Sequence, residues 1–271
     1  RDDEAAVTLA DVWGDATLHL TDRWRVTLGG RLDQVFFDVT ALQPENTGDG
    51  DGSQFSPKFS TAYRATPELE LYAAYGKGFH TNDPRGVVST VDPATGDPAT
   101  PVDLFAESKG GEIGARWEPN PDFNLSGSVF YLELDSELIF VGDAGTSEAG
   151  PATERYGIEW ATYWRPNDWL TFDHEMTFSE GKLLDVGSDN DIPGAVPFIM
   201  DTGVTVGRDE GFFGSLRSRY FSPRPLIEDG SEKSRQSWQV NARLGWRKDG
   251  WEIAVDCLNL LDRDDNDIEY F

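Results

Sequence analysis

Residues Arg23 to Asp33 read "RWRVTLGGRLD" and set the period of the whole chain. Trp24, Val26, Leu28, Gly30 and Leu32 fall on one side of an extended segment, with Arg25, Thr27, Arg31 and Asp33 on the other. Side chains in a strand alternate between faces, so a split of period two reads as a strand with one apolar and one polar face. The pattern returns along the sequence. Trp238, Val240, Ala242, Leu244 and Trp246 alternate with Gln239, Asn241, Arg243 and Arg247. Phe123, Leu125, Val129 and Tyr131 oppose Asn124, Ser126 and Ser128, and Leu170, Phe172, Met176 and Phe178 oppose Thr171, Asp173, Glu175 and Thr177. No stretch shows a sustained helical period.

The connections between these segments are of two kinds that alternate in order. "LTDRW", "ATPEL", "PNPDF", "PNDW", "RDEG" and "KDG" are short and carry the Asp, Asn, Pro and Gly of tight reversals. Between them lie long polar stretches at residues 41–53, 80–106, 142–153, 184–194 and 222–234. Tight turns at one end and long loops at the other describe an antiparallel up-and-down meander of about twelve strands. Many of these are longer than the usual five or six residues.

The bulk numbers narrow the class. The chain has 271 residues, with 49 acidic against 23 basic side chains and a formal net charge of -26; its mean hydropathy is -0.49. A polyanion would be repelled by this balance, so nucleic acid is not an expected partner. No apolar run approaches the roughly 18 residues of a membrane helix. A transmembrane barrel escapes that requirement, because it needs only alternate residues to be apolar over about ten per strand. Aromatic residues gather beside the short turns: Trp24, Phe123, Trp169, Phe212 and Trp251 open strands there, and Trp164 and Trp246 close them. That is where a belt at a membrane interface places amphipathic rings. One cysteine, Cys257, excludes an internal disulfide framework. The opening "RDDEAAVTLADVW" has no basic start, apolar segment or cleavage site. This leaves two readings, a cytoplasmic chain or one that begins after its export signal.

Several segments resemble the barrel of TonB-dependent receptors of the Gram-negative outer membrane. "LELYAAYGKGFHTNDPRG", from Leu69, is similar to the strand of that family that ends in Tyr-Gly-x-Gly-Phe-His and opens into an external loop. "ESKGGEIG", from Glu107, matches Glu-Ser-x-Gly-x-Glu-x-Gly; a Phe-Tyr strand follows at Phe130, then "RYGIE" from Arg155. "WEIAVDCLNLLDR", from Trp251, resembles the strand carrying Asn-Leu-Leu-Asp. The resemblance implies an all-β transmembrane barrel domain over residues 1–271, about twelve strands of a barrel of about 22. It also implies a plug domain and a final strand outside this sequence. The implied function is energy-coupled uptake, not catalysis, with a scarce ligand such as a ferric siderophore or other metal chelate. The implied partners are outer-membrane lipid and the TonB coupling protein, the latter reached through an N-terminal region. A passive porin or adhesin barrel and a soluble acidic β-sandwich that binds carbohydrate are the alternatives.

Chemistry-bearing clusters are weighed against this frame. "YGKGFHTNDPRG" lacks the helix and the Lys-Ser/Thr pair of a phosphate loop, and with only His19, His80 and His174 the chain is poor in general bases. His80, Asp83 and Arg85 on one external loop, and Tyr220, Phe221 and Arg224 on another, are the expected ligand contacts. For Asp83 and Arg85 the plainer account is that they pair or cap their loop. Glu133, Asp135 and Glu137 alternate with leucines and are expected on a polar lumen wall. The acidic stretches "TGDGDGS", "GSDND" and "DRDDND" offer oxygen ligands suited to calcium, with Asp49, Asp51, Asp189 and Asp191 as candidates, although solvated loop charge is the plainer account; no other cofactor is expected. Cys257 shares a face with Ile253 and Val255 and is expected to face lipid. His174, between Phe172 and Met176, is an ionisable group on the apolar face, at odds with a lipid-facing position unless it lies near an interface.

Overall fold

The computed structural model describes residues 3–93, 95–136, 138–141 and 146–265. Glu137 and the end of "DRDDND" lie outside them. The strands are β1 (Glu4–Thr21), β2 (Trp24–Thr40), β3 (Gly48–Arg64), β4 (Leu69–Thr81), β5 (Phe105–Asn120), β6 (Phe123–Leu134), β7 (Leu138–Val141), β8 (Thr146–Ala149), β9 (Thr153–Asn167), β10 (Leu170–Leu183), β11 (Phe198–Gly207), β12 (Gly211–Phe221), β13 (Ser237–Lys248) and β14 (Trp251–Cys257). Twelve of them are hydrogen-bonded in chain order, with β6 passing directly to β9, while β7 and β8 form a separate hairpin. The only helical turns among the described residues are Pro44–Asn46 and α1, Pro84–Val87. No helix of the described residues is long and apolar enough to cross a membrane.

Strand length follows the expected requirement. Every strand of the large sheet except β14 has at least ten residues, and β1 has 18. A tilted membrane strand needs about 9 to 11. The short turns reverse the chain within a few residues. One of the two-residue turns, at Asp249 and Gly250, places both central residues at positive φ, 51° and 81°. That geometry matches the right-handed twist of the flanking strands and selects an Asp-Gly pair.

Two compact units divide the residues: Arg1–Thr61, Ala74–Gly111 and Glu133–Ala152 form one, and Ala62–Ala73, Glu112–Leu132 and Thr153–Phe271 the other. In the first unit the β1–β2 register places Val12 opposite Leu32, Ala16 opposite Leu28 and Leu18 opposite Val26. The intervening pairs, Asp11 with Asp33 and Thr17 with Thr27, occupy the other face. In the second unit Met176 faces Met200, Val204 faces Leu216, Tyr220 faces Trp238 and Leu244 faces Val255. Its polar face carries Asp173, Asp201, Arg217 and Arg243, where Arg217 joins Asp173 and Asp201 and Arg243 joins Glu252 and Asp256.

The apolar face is uncovered. Phe212 is 84 % exposed, Trp251 74 % and Leu244 70 %, and Trp24, Trp164 and Trp169 are also exposed. So large a contiguous apolar surface marks contact with another apolar phase. Three indole N–H groups on this face are satisfied within the sheet: Trp24 Nε1 donates to Thr61 Oγ1, Trp160 Nε1 to Thr162 Oγ1 and Trp238 Nε1 to Ser218 Oγ, each at 2.8 Å. Cys257 is exposed and alternates into the same face as Ile253 and Val255.

His174 follows the same rule. Its Nδ1 lies 2.8 Å from Thr202 Oγ1 on β11, and its ring stacks on Phe172 at 6.3 Å between centroids. Removing one member of such a pair orphans the other, whereas removing both is close to neutral. Thr202→Val is expected to destabilise the full-length protein in lipid vesicles by about 1–3 kcal/mol. His174→Leu combined with Thr202→Val is expected to recover most of that loss, measured by urea unfolding.

Candidate functional site

The strands outrun the apolar band at the end that carries the long loops, and there the sequence reading needs correction. "TGDGDGS" is not a loop: β3 already begins at Gly48. Its glycines and aspartates separate by face. Asp49 and Asp51 are exposed on the side that continues into Phe55 and Phe59, and Asp51 accepts from Gln34 Nε2 at 2.9 Å. Gly48, Gly50 and Gly52 line the opposite side, against Val88, Phe37 and Leu104. Glu133 likewise alternates into the face of Val129 and Tyr131, where Lys109 pairs with it at 2.7 Å; a polar lumen wall is not its position. Past the band, the outward face meets polar surroundings and turns charged.

Residues 82–93 and 95–104 fold back instead of projecting. Asn82 anchors the start, bonding through its backbone N–H to Leu104 O and through Nδ2 to Asp103 O. Asn46, almost fully buried, receives the N–H groups of Thr90 and Val91 on Oδ1 and donates to Val91 O. Asp83 caps α1, accepting from Arg85 N at 2.9 Å, and also pairs with the Arg85 guanidinium, which it raises above its ordinary pKa. These two side chains therefore serve the loop. His80 ends β4 with its Nε2 buried and without a hydrogen-bond partner.

In the second unit the strand end separates two neighbours. Tyr220 faces the apolar side, near Phe198 with centroids 6.0 Å apart, and its hydroxyl bonds Gln236 Oε1. Phe221, paired with Ser237, alternates to the polar side. Arg224 N donates to Ser234 Oγ within the loop that follows. The loops 184–197 and 222–236 are tied together, since Asp191 N bonds Glu228 O and Gly194 N bonds Pro225 O. Asp191 Oδ1 takes Lys182 Nζ at 2.7 Å, and Asp189 accepts from Ser188. Among the described residues no group of three or more His, Cys, Asp or Glu is arranged to hold a metal ion.

A recess of about 290 Å³ opens on the polar face of the second unit. Glu112 of β5, Glu159 of β9 and Glu175 of β10 line it with Tyr72, Ser126 and Ser128. Three carboxylates around one cavity favour a cationic occupant. Glu112 and Glu159 are the glutamates of the two motifs quoted above, yet only strand pairing brings them together.

The Asn-Leu-Leu-Asp stretch is a second correction, because β14 stops at Cys257. Asn259 and Asp262 adopt positive φ, 51° and 49°, which Asn and Asp tolerate better than most residues. The segment folds back on β13: Asn259 N bonds Asn241 Oδ1, Leu260 N bonds Val240 O, and Asn259 Nδ2 bonds Arg263 O. Asp265 closes the clasp, accepting from Trp238 N at 2.7 Å and from Arg263 Nε at 3.0 Å.

An uncovered apolar face with aromatic rows, an ion-paired polar face and loops of two lengths define the wall of an outer-membrane type of up-and-down barrel. The family model "TonB dependent receptor-like, beta-barrel" matches residues 1–260, and the chain belongs to that family. Barrels of this family are outer-membrane proteins of Gram-negative bacteria, and its members are receptors and transporters. Solved structures agree on the fold. The ferric yersiniabactin uptake receptor FyuA from Yersinia pestis is 19 % identical with a TM-score of 0.77, over 96 % of this chain and 42 % of its own. The copper transporter OprC is 14 % identical with a TM-score of 0.78, over 96 % and 42 %. The siderophore receptor PiuA from Acinetobacter baumannii is 14 % identical with a TM-score of 0.78, over 97 % and 40 %. The chain thus spans about two-fifths of each of these receptors.

The clasp at Asp265 should respond to acid. Hydrogen bonds from Arg263 and from the Trp238 N–H hold its carboxyl below the usual carboxylate range. A depressed folded-state pKa contributes stability that is present above the unfolded value and lost as pH falls through the folded one. Amide exchange at Trp238, corrected for its intrinsic pH dependence, is expected to speed up below about pH 4. In Asp265→Asn it should be fast at neutral pH and lack the acid transition.

Proposed function

We propose that this chain is part of a receptor that imports a scarce ligand across the outer membrane, most simply a ferric siderophore or another metal chelate, with energy supplied through TonB. The observation that carries this is the division of one sheet into an exposed apolar face and an ion-paired polar face. In hydrocarbon every backbone polar group must be paired within the protein, a demand this sheet would meet once closed into a barrel with further strands. The polar face would line the passage, and the acidic recess at Glu112, Glu159 and Glu175 would take a cationic group there. The folded loops at residues 82–104, 184–197 and 222–236 would meet ligand first, with His80, Phe221 and Arg224 as the contacts nearest the polar side. The chelate and TonB assignments rest on the family and on the names of structures that share the fold.

Deleting the gene is expected to slow growth on a chelated metal and to abolish uptake of that radiolabelled chelate. Uptake should stop when the proton gradient is collapsed. Liposomes holding the purified receptor should not swell in sugar solutions. Swelling without an energy source would support a passive pore. Extraction of the full-length protein without detergent would exclude the membrane reading altogether.

A further inference from the structure

The registers of four strands set one row of polar side chains across the apolar face. Thr162 of β9 faces His174 of β10, His174 faces Thr202 of β11, and Thr202 faces Ser218 of β12. The rows on either side are large and mostly apolar: Trp160, Met176, Met200 and Tyr220 toward the long loops, and Trp164, Phe172, Val204 and Leu216 toward the short turns. Thr202 is the central outward residue of β11, with Phe198 and Met200 on one side of it and Val204 and Val206 on the other. At that depth a bilayer offers only hydrocarbon, since its polar groups lie in the interfacial regions.

The centre of the row is short of one hydrogen-bond partner. His174 and Thr202 share a bond of 2.8 Å, and neither makes another among the described residues. A neutral imidazole carries one N–H and one bare nitrogen. Where the Thr202 hydroxyl donates to Nδ1, the ring proton is on Nε2 and has no acceptor. Where Nδ1–H donates instead, the hydroxyl proton has none and Nε2 is bare. A second His174–Thr202 pair supplies what is missing in both cases. In the first tautomer Nε2–H meets the hydroxyl oxygen of the second Thr202; in the other, the Thr202 hydroxyl donates to the second Nε2. Four hydrogen bonds then close a ring and leave no donor open. Two copies in one membrane share its orientation, so a two-fold axis along the membrane normal relates them, and each bond implies its reciprocal. The only two methionines of the chain, Met176 and Met200, face each other beside this pair. Methionine is unbranched and adapts its shape to an opposing surface. We propose that this patch of β10 and β11 is a contact between two copies of the protein within the membrane, centred on His174 and Thr202.

The contact requires the apolar face to lie in the membrane and is independent of what the protein imports. Disulfide trapping of the full-length protein in native outer membranes tests it, with Cys257→Ser as the background. One variant carries Val204→Cys, next to Thr202 on the outward face of β11, and the other Leu244→Cys on the same face of β13. Leu244 is 70 % exposed and Val204 36 %, so random collision would favour the Leu244→Cys control. Oxidation is expected to link Val204→Cys into a dimer containing only this protein about tenfold faster than Leu244→Cys. Adding His174→Leu and Thr202→Val together should bring the rate down to that of the control, while Thr202→Ser, which keeps the hydroxyl, should preserve it. Equal rates at the two cysteines overturn the proposal and leave lipid alone on this face. A Val204→Cys rate unchanged by the double substitution overturns the hydrogen-bonded centre. An adduct with a different protein, in place of the dimer, overturns the second copy as occupant. Where the double variant does not assemble, the comparison of the two cysteines with His174 and Thr202 intact decides the outcome by itself. Absence of the protein from the outer-membrane fraction defeats the membrane reading, and this contact with it.

Discussion

A peptide group inside hydrocarbon has no water to bond, and an unpaired one costs several kcal/mol. Most of this chain answers to that constraint. It accounts for strands long enough to cross a bilayer and for reversals at Asp22–Arg23 or Asp249–Gly250 that spend almost no residues. The rule reaches the side chains as well. Three indoles on the apolar face, Trp24, Trp160 and Trp238, find hydroxyl partners, and a histidine in the middle of β10 has a threonine on β11 for its ring nitrogen. Hydroxyls at Thr61, Thr162, Thr202 and Ser218 look like lapses in an apolar stripe, yet each one completes a pair.

The two faces hold together by different physics. On the polar face Arg217 joins Asp173 and Asp201, and Arg243 joins Glu252 and Asp256, so each guanidinium is shared by two carboxylates. Exposed pairs of this kind each contribute little, about 1 kcal/mol or less. Their value lies in keeping a surface of net charge -26 from concentrating its repulsion in one place. On the apolar face the side chains gain little from one another and depend on lipid.

The period-two reading located the faces because alternation is a local property: Trp24 to Leu32 or Trp238 to Trp246 suffices to assign inside and outside. It failed where the surroundings of a face change along one strand. "TGDGDGS" has the composition of a loop, and only its pairing with β2 shows that it continues the sheet. Glu133 departs from the expected lumen wall for the same reason, since an outward position is apolar within the band and charged beyond it. Tyr220 and Phe221 were grouped by adjacency, which in a strand guarantees opposite faces. The Asn-Leu-Leu-Asp stretch left its strand through two positive-φ residues whose conformation composition does not announce. The recess was hidden because Glu112, Glu159 and Glu175 are distant in sequence; the signal was present as polar-face positions on three strands, but their neighbours had to be known first.

The alternation of Gly and Asp between Gly48 and Gly52 has a consequence for how this segment can change over generations. Its two rows are independent under substitution: an aspartate can be exchanged on the outer side without touching the floor that faces Phe37 and Leu104. Insertion or deletion is different. A single residue gained or lost within the stretch exchanges the rows, driving carboxylates into Phe37 and turning bare glycine outward. Two residues gained or lost would restore the parity. Lineages of this receptor should therefore vary in length here by even steps, a constraint of arithmetic and not of chemistry.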